Sequence, residues 1–372
     1  MRSRPSRLGS RLRVLPRAAW QRAASIGRRA PPASPSRILV AHHLLLGDTL
    51  MLTPLLAKLR ERHPGAEIVM ATPRAIAPLY ARTPYGVRAL PYDPRDARTL
   101  ERFDAARGYD LALVPGDNRF SWLALALGAR WIVAFGGDRP AHKSWPVDER
   151  RSYPEAPAAW GDMVAGLVDG PPPRPYRPED WPDPEHTPFD APAGPYAVLH
   201  VGASTPLKQW DRDKWHSLAG RLERRGFSVV LSGGRGEEAE VAAIDPEGRH
   251  VSVAGRLDLP QMWHLVKRAR LLICPDTGIA HLGRIVNTPT VTLFGPGSAV
   301  ICGAGEFWRA SPYRAVTVDP FLCRDQRVLF KREIAWVRRC GRSTAECPAP
   351  RCMHAIGLDA VTAAIDELLG AR

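Results

Sequence analysis

The sequence predicts an α/β protein made of two Rossmann-like, doubly wound parallel-sheet domains that face each other across a cleft. Three observations predict it. From residue 37 onward, short apolar runs alternate with stretches of helical periodicity. The alternation stops once, at 171–195, where ten of twenty-five residues are proline. It then restarts in the same form. Strands alternating with helices make βαβ units and a parallel sheet, whereas that density of proline suits neither helix nor sheet interior and reads as a linker. At 372 residues, 45% apolar, the chain is long enough for two ordinary domains.

The first domain is expected over 37–170. Ile38 to Ala41 reads as its first strand, followed by Met51, Leu52, Leu55, Leu56 and Leu59 on one helical face. Glu67–Ala71, Val87–Leu90 and Asp110–Val114 supply further strands. The most apolar stretch, Ser121 to Phe135, is broken by Gly128 and Arg130. It falls short of the roughly eighteen apolar residues that cross a bilayer and reads as a core helix followed by a strand. The second domain is expected over 196–352, with strands at Tyr196–Val201, Ser228–Leu231, Val251–Val253, Leu271–Cys274 and Thr290–Phe294. Its helices are expected at Asp211–Arg225, Leu259–Ala269 and Gly278–Val286. Segment 353–372 carries Leu358, Val361, Ile365, Leu368 and Leu369 at helical spacing, the pattern of a docking helix.

Charge is concentrated at one end. The net charge is +14, and residues 1–37 hold ten arginines and no Asp, Glu or Lys. Residues 1–36 read as a basic, disordered arm. An over-extended translation start, a transit peptide and attraction to anionic lipid at the inner face of the membrane are the other readings. The arm has no apolar run long enough for a secretory signal, which leaves a cytoplasmic enzyme. Trp20 is its lone aromatic, so nucleic acid is not an expected partner. Six cysteines in that setting predict no disulfide framework, and Cys274 and Cys302 read as buried thiols. Cys323, Cys340, Cys347 and Cys352 fall within thirty residues but contain no C-x2-C pair. A metal site there is the minority reading, beside free thiols or a disulfide, and no metal is expected.

Four constellations carry chemistry. Gly47-Asp48 follows the first strand; Asp48 is either a helix cap or a general base, and Thr53-Pro54, itself a good helix start, frees it for the second role. After the strand ending at His200 come Ser204, Thr205 and Lys208, a phosphate-contacting loop or a solvated one. Ser232-Gly233-Gly234 leads to Glu237 and Glu238, suited to ribose hydroxyls. It lacks the dinucleotide fingerprint, and no Walker-type loop occurs, which lowers dehydrogenase and P-loop readings. The most specific block is Asp276-Thr277-Gly278 through His281, where a strand ends and a helix begins with free N–H groups, a site for phosphate. His281 is either structural or part of that cradle.

In family order, Leu46-Gly47-Asp48, Thr53-Pro54-Leu55-Leu56, Lys208-Gln209-Trp210, Ser232-Gly233-Gly234, Asp276-Thr277-Gly278 to His281-Leu282 and Pro289-Thr290 to Phe294-Gly295-Pro296 resemble the lipopolysaccharide heptosyltransferases, glycosyltransferase family 9. The resemblance spans roughly 37–369. It implies the GT-B fold, an acceptor-binding first domain and a nucleotide-sugar-binding second one, and inverting transfer of a heptose from ADP-heptose, or a related nucleotide sugar, to a lipid-linked core saccharide. Asp48 would then be the base, and Lys208 with the Thr277–Gly278 helix start would neutralise the leaving diphosphate without a metal cofactor. Ser204 and Thr205 would touch phosphate, Glu237 or Glu238 the ribose, and Asp276 and His281 the sugar or its phosphate. Two alternatives stay open: a member that glycosylates a protein or another polysaccharide, and a degenerate nucleotide-sugar-binding protein. The chain departs from the family at His42-His43-Leu44-Leu45, where a basic residue is common, and in its wider cysteine spacing.

Overall fold

The computed structural model describes residues 7–24 and 29–370. Residues 1–6 and 25–28 of the expected arm, and the last two of the docking segment, lie outside the described residues. Strands β1 (Arg37–Val40), β2 (Glu67–Thr72), β3 (Val87–Pro91), β4 (Tyr109–Val114), β5 (Ala129–Phe135) and β6 (Glu149–Arg151) form a parallel sheet in the order β3-β2-β1-β4-β5-β6. Strands β7 (Tyr196–His200), β8 (Ser228–Ser232), β9 (Val251–Ser252), β10 (Leu271–Pro275), β11 (Thr290–Phe294) and β12 (Tyr313–Thr317) form a second one, β12-β11-β10-β7-β8-β9. The second order repeats the first strand for strand. In each sheet the succession reverses beside its first strand, between β1 and β4 and between β7 and β10, which opens a crevice at the strands' carboxyl ends. Ile38, Leu39 and Val40 are wholly buried, as a parallel strand covered on both faces requires. The edge strands β6 and β12, short or mixed in polarity, carry no apolar run that the sequence pattern could detect.

Helices α1 (Arg7–Ala24), α2 (Leu46–Leu50), α3 (Thr53–Arg62), α4 (Phe120–Ala126) and α5 (Trp160–Ala165) belong to the first half. Helices α6 (Arg212–Arg224), α7 (Glu238–Ile244), α8 (Leu259–Arg268), α9 (Gly278–Ile285), α10 (Ala299–Cys302), α11 (Arg351–His354) and α12 (Leu358–Gly370) belong to the second. The expectation of a disordered arm over 1–36 is corrected by α1. Val14 and Ala18, one turn apart, are buried in the core formed by α4 and the first sheet. Arg13 pairs with Glu101 at 3.4 Å, and Arg22 with Asp148 at 3.3 Å. Arginine density and Pro16 hid this helix, because docking rather than intrinsic propensity stabilises it.

The Pro-rich segment clasps both halves. The Tyr176 hydroxyl donates to the Ile285 carbonyl at 2.7 Å in the second half, and Trp181 Nε1 to the Leu79 carbonyl at 3.1 Å in the first. One apolar cluster therefore runs through both halves, with Trp160, Trp181, Trp263 and Trp308 along it. Val361, Ile365 and Leu368 seat α12 in the core of the second sheet. A short antiparallel hairpin, β13 (Val328–Leu329) and β14 (Arg332–Glu333), leaves the second half and reaches the first.

Candidate active site

Asp48 lies on α2, directly past β1 and at the first switch point. Leu45 occupies the cap position, so Asp48 is not the cap, and among the described residues its carboxylate accepts no hydrogen bond. The Thr53 hydroxyl donates to the Leu50 carbonyl at 2.5 Å instead of capping α3. Burial, reinforced by the negative charge of Asp276, pushes the Asp48 carboxyl up to about 6, while Lys208 and Arg339 pull the other way. An unengaged carboxylate with that affinity for protons is matched to general-base work near neutral pH.

Across the crevice stands α9, at the second switch point. Thr277 precedes it without making a side-chain cap bond, and its buried Oγ1 has no partner among the described residues. The free N–H groups of Gly278 and the next residues, with that unspent hydroxyl, suit an anion. The two halves touch here. A Cβ built on Gly278 would come within 2.8 Å of the Leu46 side chain, so this close approach requires glycine. Lys208 Nζ donates to both the backbone carbonyl and the Oδ2 of Asp276, each at 2.7 Å, which fixes an ammonium group beside the helix tip.

His281 is held by a residue that sequence reasoning missed. Arg284, 1% exposed, donates to His281 Nδ1 and, at 3.1 Å, to the Cys302 carbonyl, with its guanidinium 5.1 Å from the ring centre of Trp308 and 5.0 Å from that of Tyr313. A guanidinium only donates, so Nδ1 accepts and the ring proton sits on Nε2. Burial, then the charges of Arg284 and Lys208, hold His281 far below its usual titration range, so it is a neutral donor at pH 7. The available signal was helical spacing, since residue 284 lies one turn past 281.

The remaining sequence-derived residues line the loops that follow β7 and β8. Thr205 Oγ1 accepts from the Leu207 amide at 3.4 Å, and Ser204 is exposed. Glu237 accepts from the amides of Ala203 at 2.8 Å and Gly234 at 2.5 Å, tying the two loops together. Glu238 accepts from the Gly236 amide at 2.8 Å. Trp210, part of the quoted motif, is core: it is buried, and its Nε1 donates to the Ile356 carbonyl at 3.0 Å. Cys323, Cys340, Cys347 and Cys352 line one small cavity with Arg342 and Glu346, and all four are free. Among the described residues no three His, Cys, Asp or Glu side chains are gathered closely enough to hold a metal ion.

The model of glycosyltransferase family 9 (heptosyltransferase) matches residues 100–310. The chain belongs to glycosyltransferase family 9. Lipopolysaccharide heptosyltransferase 1 of Pseudomonas aeruginosa is 28% identical over 291 residues, 72% of this chain and 81% of that protein. A family 9 glycosyltransferase from Veillonella parvula superposes with a TM-score of 0.70 at 17% identity, covering 91% of this chain and 98% of its own. The ADP-heptose lipopolysaccharide heptosyltransferase II of Escherichia coli gives 0.67 at 19%, covering 90% and 99%. These two likenesses establish the GT-B fold predicted for this family 9 enzyme. Within it, Asp48, Lys208, Asp276, Thr277, Gly278 and His281 come together where α2 meets α9, while Ser204, Thr205, Glu237 and Glu238 lie on the loops that follow β7 and β8.

Proposed function

We propose that this glycosyltransferase transfers a heptose from ADP-heptose, with inversion, to a lipopolysaccharide inner-core saccharide. The observation that carries the reading is the facing of an unengaged Asp48 carboxylate and the amide-lined tip of α9. The acceptor hydroxyl gives its proton to Asp48 as its oxygen forms the new bond to the anomeric carbon. The bond from that carbon to the β-phosphate oxygen breaks, and its electron pair leaves with ADP. Lys208 and the α9 amides meet the growing negative charge, so the neutralisation needs no metal. The Nε2–H of His281 is available to a sugar or phosphate oxygen, and Ser204, Thr205, Glu237 and Glu238 are assigned to the nucleotide.

Among the described residues no helix is long and apolar enough to cross a membrane. The membrane-bound acceptor is reached, in this reading, through α1, where Trp20 and Leu15 are exposed among Arg13, Arg17 and Arg22. The deciding experiment offers the purified enzyme ADP-, GDP- and UDP-sugars with heptose-deficient lipopolysaccharide and reads the acceptor by mass spectrometry. A heptose increment with ADP-heptose supports the reading, whereas donor hydrolysis without transfer, or transfer only to protein, overturns the acceptor.

A further inference from the structure

The segment 326–340 of the second half is a strap across the crevice. At its base Gln326 and Arg339 exchange backbone hydrogen bonds of 2.9 and 3.2 Å, and the Cys340 amide donates to the Pro296 carbonyl at 2.9 Å, in the loop that follows β11. At its tip the Phe330 ring packs, tilted by 36°, with its centre 4.8 Å from that of Trp160 of the first half. Arg332, 3% exposed, donates to the carbonyls of Gly136 at 2.8 Å and Gly116 at 3.0 Å and to Asn118 Oδ1 at 2.6 Å. Gly116 and Gly136 lie just past β4 and β5, at the carboxyl edge of the first sheet. The strap thus forms a wall between the donor-side loop and the acceptor half.

The two arginines of this strap are used differently. Arg332 spends its donors on protein oxygens and lies 3.6 Å from Asp138, so it anchors the tip. Arg339 is half-buried at the base and, among the described residues, its guanidinium makes no hydrogen bond or ion pair. It is one of the charges that act on Asp48. A half-buried guanidinium with no partner among the described residues, at the base of the strap beside the loop that follows β11 and within electrostatic reach of Asp48, is configured for a planar bidentate anion.

We propose that Arg339 binds an anionic group of the acceptor, a carboxylate or a phosphate, and that the strap on the donor half thereby sets acceptor specificity. This rests on the saccharide-acceptor reading above. The test is calorimetric binding to the ADP-loaded enzyme of deacylated, heptose-deficient inner-core saccharide, compared with the same saccharide after phosphatase treatment and, separately, after carboxyl reduction. Wild type is expected to lose about tenfold in affinity for whichever stripped form lacks the recognised anion. Arg339→Ala is expected to bind the intact saccharide at that weakened level and no longer to distinguish the two forms, with Arg339→Lys between them and the affinity for ADP retained. If Arg339→Ala still discriminates as wild type does, the anion is read elsewhere and the assignment falls. A parallel loss of ADP affinity overturns it too, by moving Arg339 to the donor. Failure of wild type to bind the intact saccharide removes the acceptor class as well, an outcome visible before any variant is made.

Discussion

Gly47 and His281 meet across the crevice so closely that a Cβ on residue 47 would lie 2.9 Å from His281 Cδ2. The imidazole cannot yield, because Arg284 pins its Nδ1. Gly47→Ala is therefore expected to pry α2 from α9 by a few tenths of an ångström or more. The distance between Asp48 and the phosphate site grows, and turnover falls by about tenfold or more, since misplacement on this scale is costly to catalysis. Steady-state kinetics check this. On a His281→Ala background the clash is gone, so Gly47→Ala should cost less turnover there than in wild type, and an equal cost on both backgrounds would locate the effect elsewhere.

Asp48→Asn keeps the shape and removes the base. Turnover is expected to fall at least about a hundredfold with ADP affinity preserved. In the wild type, kcat/KM should rise with pH through about 6, where the carboxyl loses its proton, and level off above it. Single-turnover and pH-rate measurements read both. An equal loss of donor binding and turnover would make Asp48 a structural residue.

The same carboxylate should cost stability. Its ordinary value of 3.8 is raised to about 6 on folding. Between these values the native state holds a proton that the unfolded chain has released. Stability falls as pH rises through that window, and the penalty is complete above it. Asp48→Asn should therefore be more stable than wild type at pH 7.5, by about 1–3 kcal/mol, and no more stable near pH 3.5. Urea unfolding at the two pH values decides it.

These residues show what the sequence made legible. Asp48, Lys208 and Asp276-Thr277-Gly278 follow strand ends, and the pattern of a doubly wound fold places strand ends at the crevice, so their convergence could be anticipated. Arg284, Arg339 and the strap could not. Arg284 acts through a histidine it touches only once α9 is wound, and Arg339 depends on a two-residue-strand hairpin with no hydrophobic period. The helix over residues 7–24 was hidden for a related reason. Its helicity comes from burying Val14 and Ala18 on the first half, which no local propensity records.

Arg332 holds the strap to the first sheet, and the cost of losing it should be large. Arg332→Met removes the donors to Gly116, Gly136 and Asn118 and leaves those acceptors buried and short of partners, while the Asp138 carboxylate loses a neighbouring charge but keeps the Asn118 amide and Lys143. A loss of about 2–4 kcal/mol in urea unfolding is expected. Lysine should not restore it, because one ammonium cannot reproduce the planar fork that reaches the loops after β4 and β5 at once.

The helix α1 links fold to location. Val14 holds it down on the side facing α4, while Trp20, 68% exposed, and Leu15, 47% exposed, stay outward. If that outward side meets an anionic bilayer, its basic residues act through a screened field worth about 1 kcal/mol each. Arg17→Gln should then weaken co-sedimentation with phosphatidylglycerol-containing vesicles about fivefold, and high salt should weaken it further. Trp20→Ser should weaken binding with little change in its salt dependence, because the indole contributes through burial at the headgroup level. Val14→Asp places a charge in the seam between α1 and α4. It should detach the helix, which reaches the vesicle experiment as protease sensitivity around residue 24, while ADP affinity, set by the distant second half, stays at the wild-type value. Vesicle binding that ignores both Arg17→Gln and Trp20→Ser would place the membrane contact on another face.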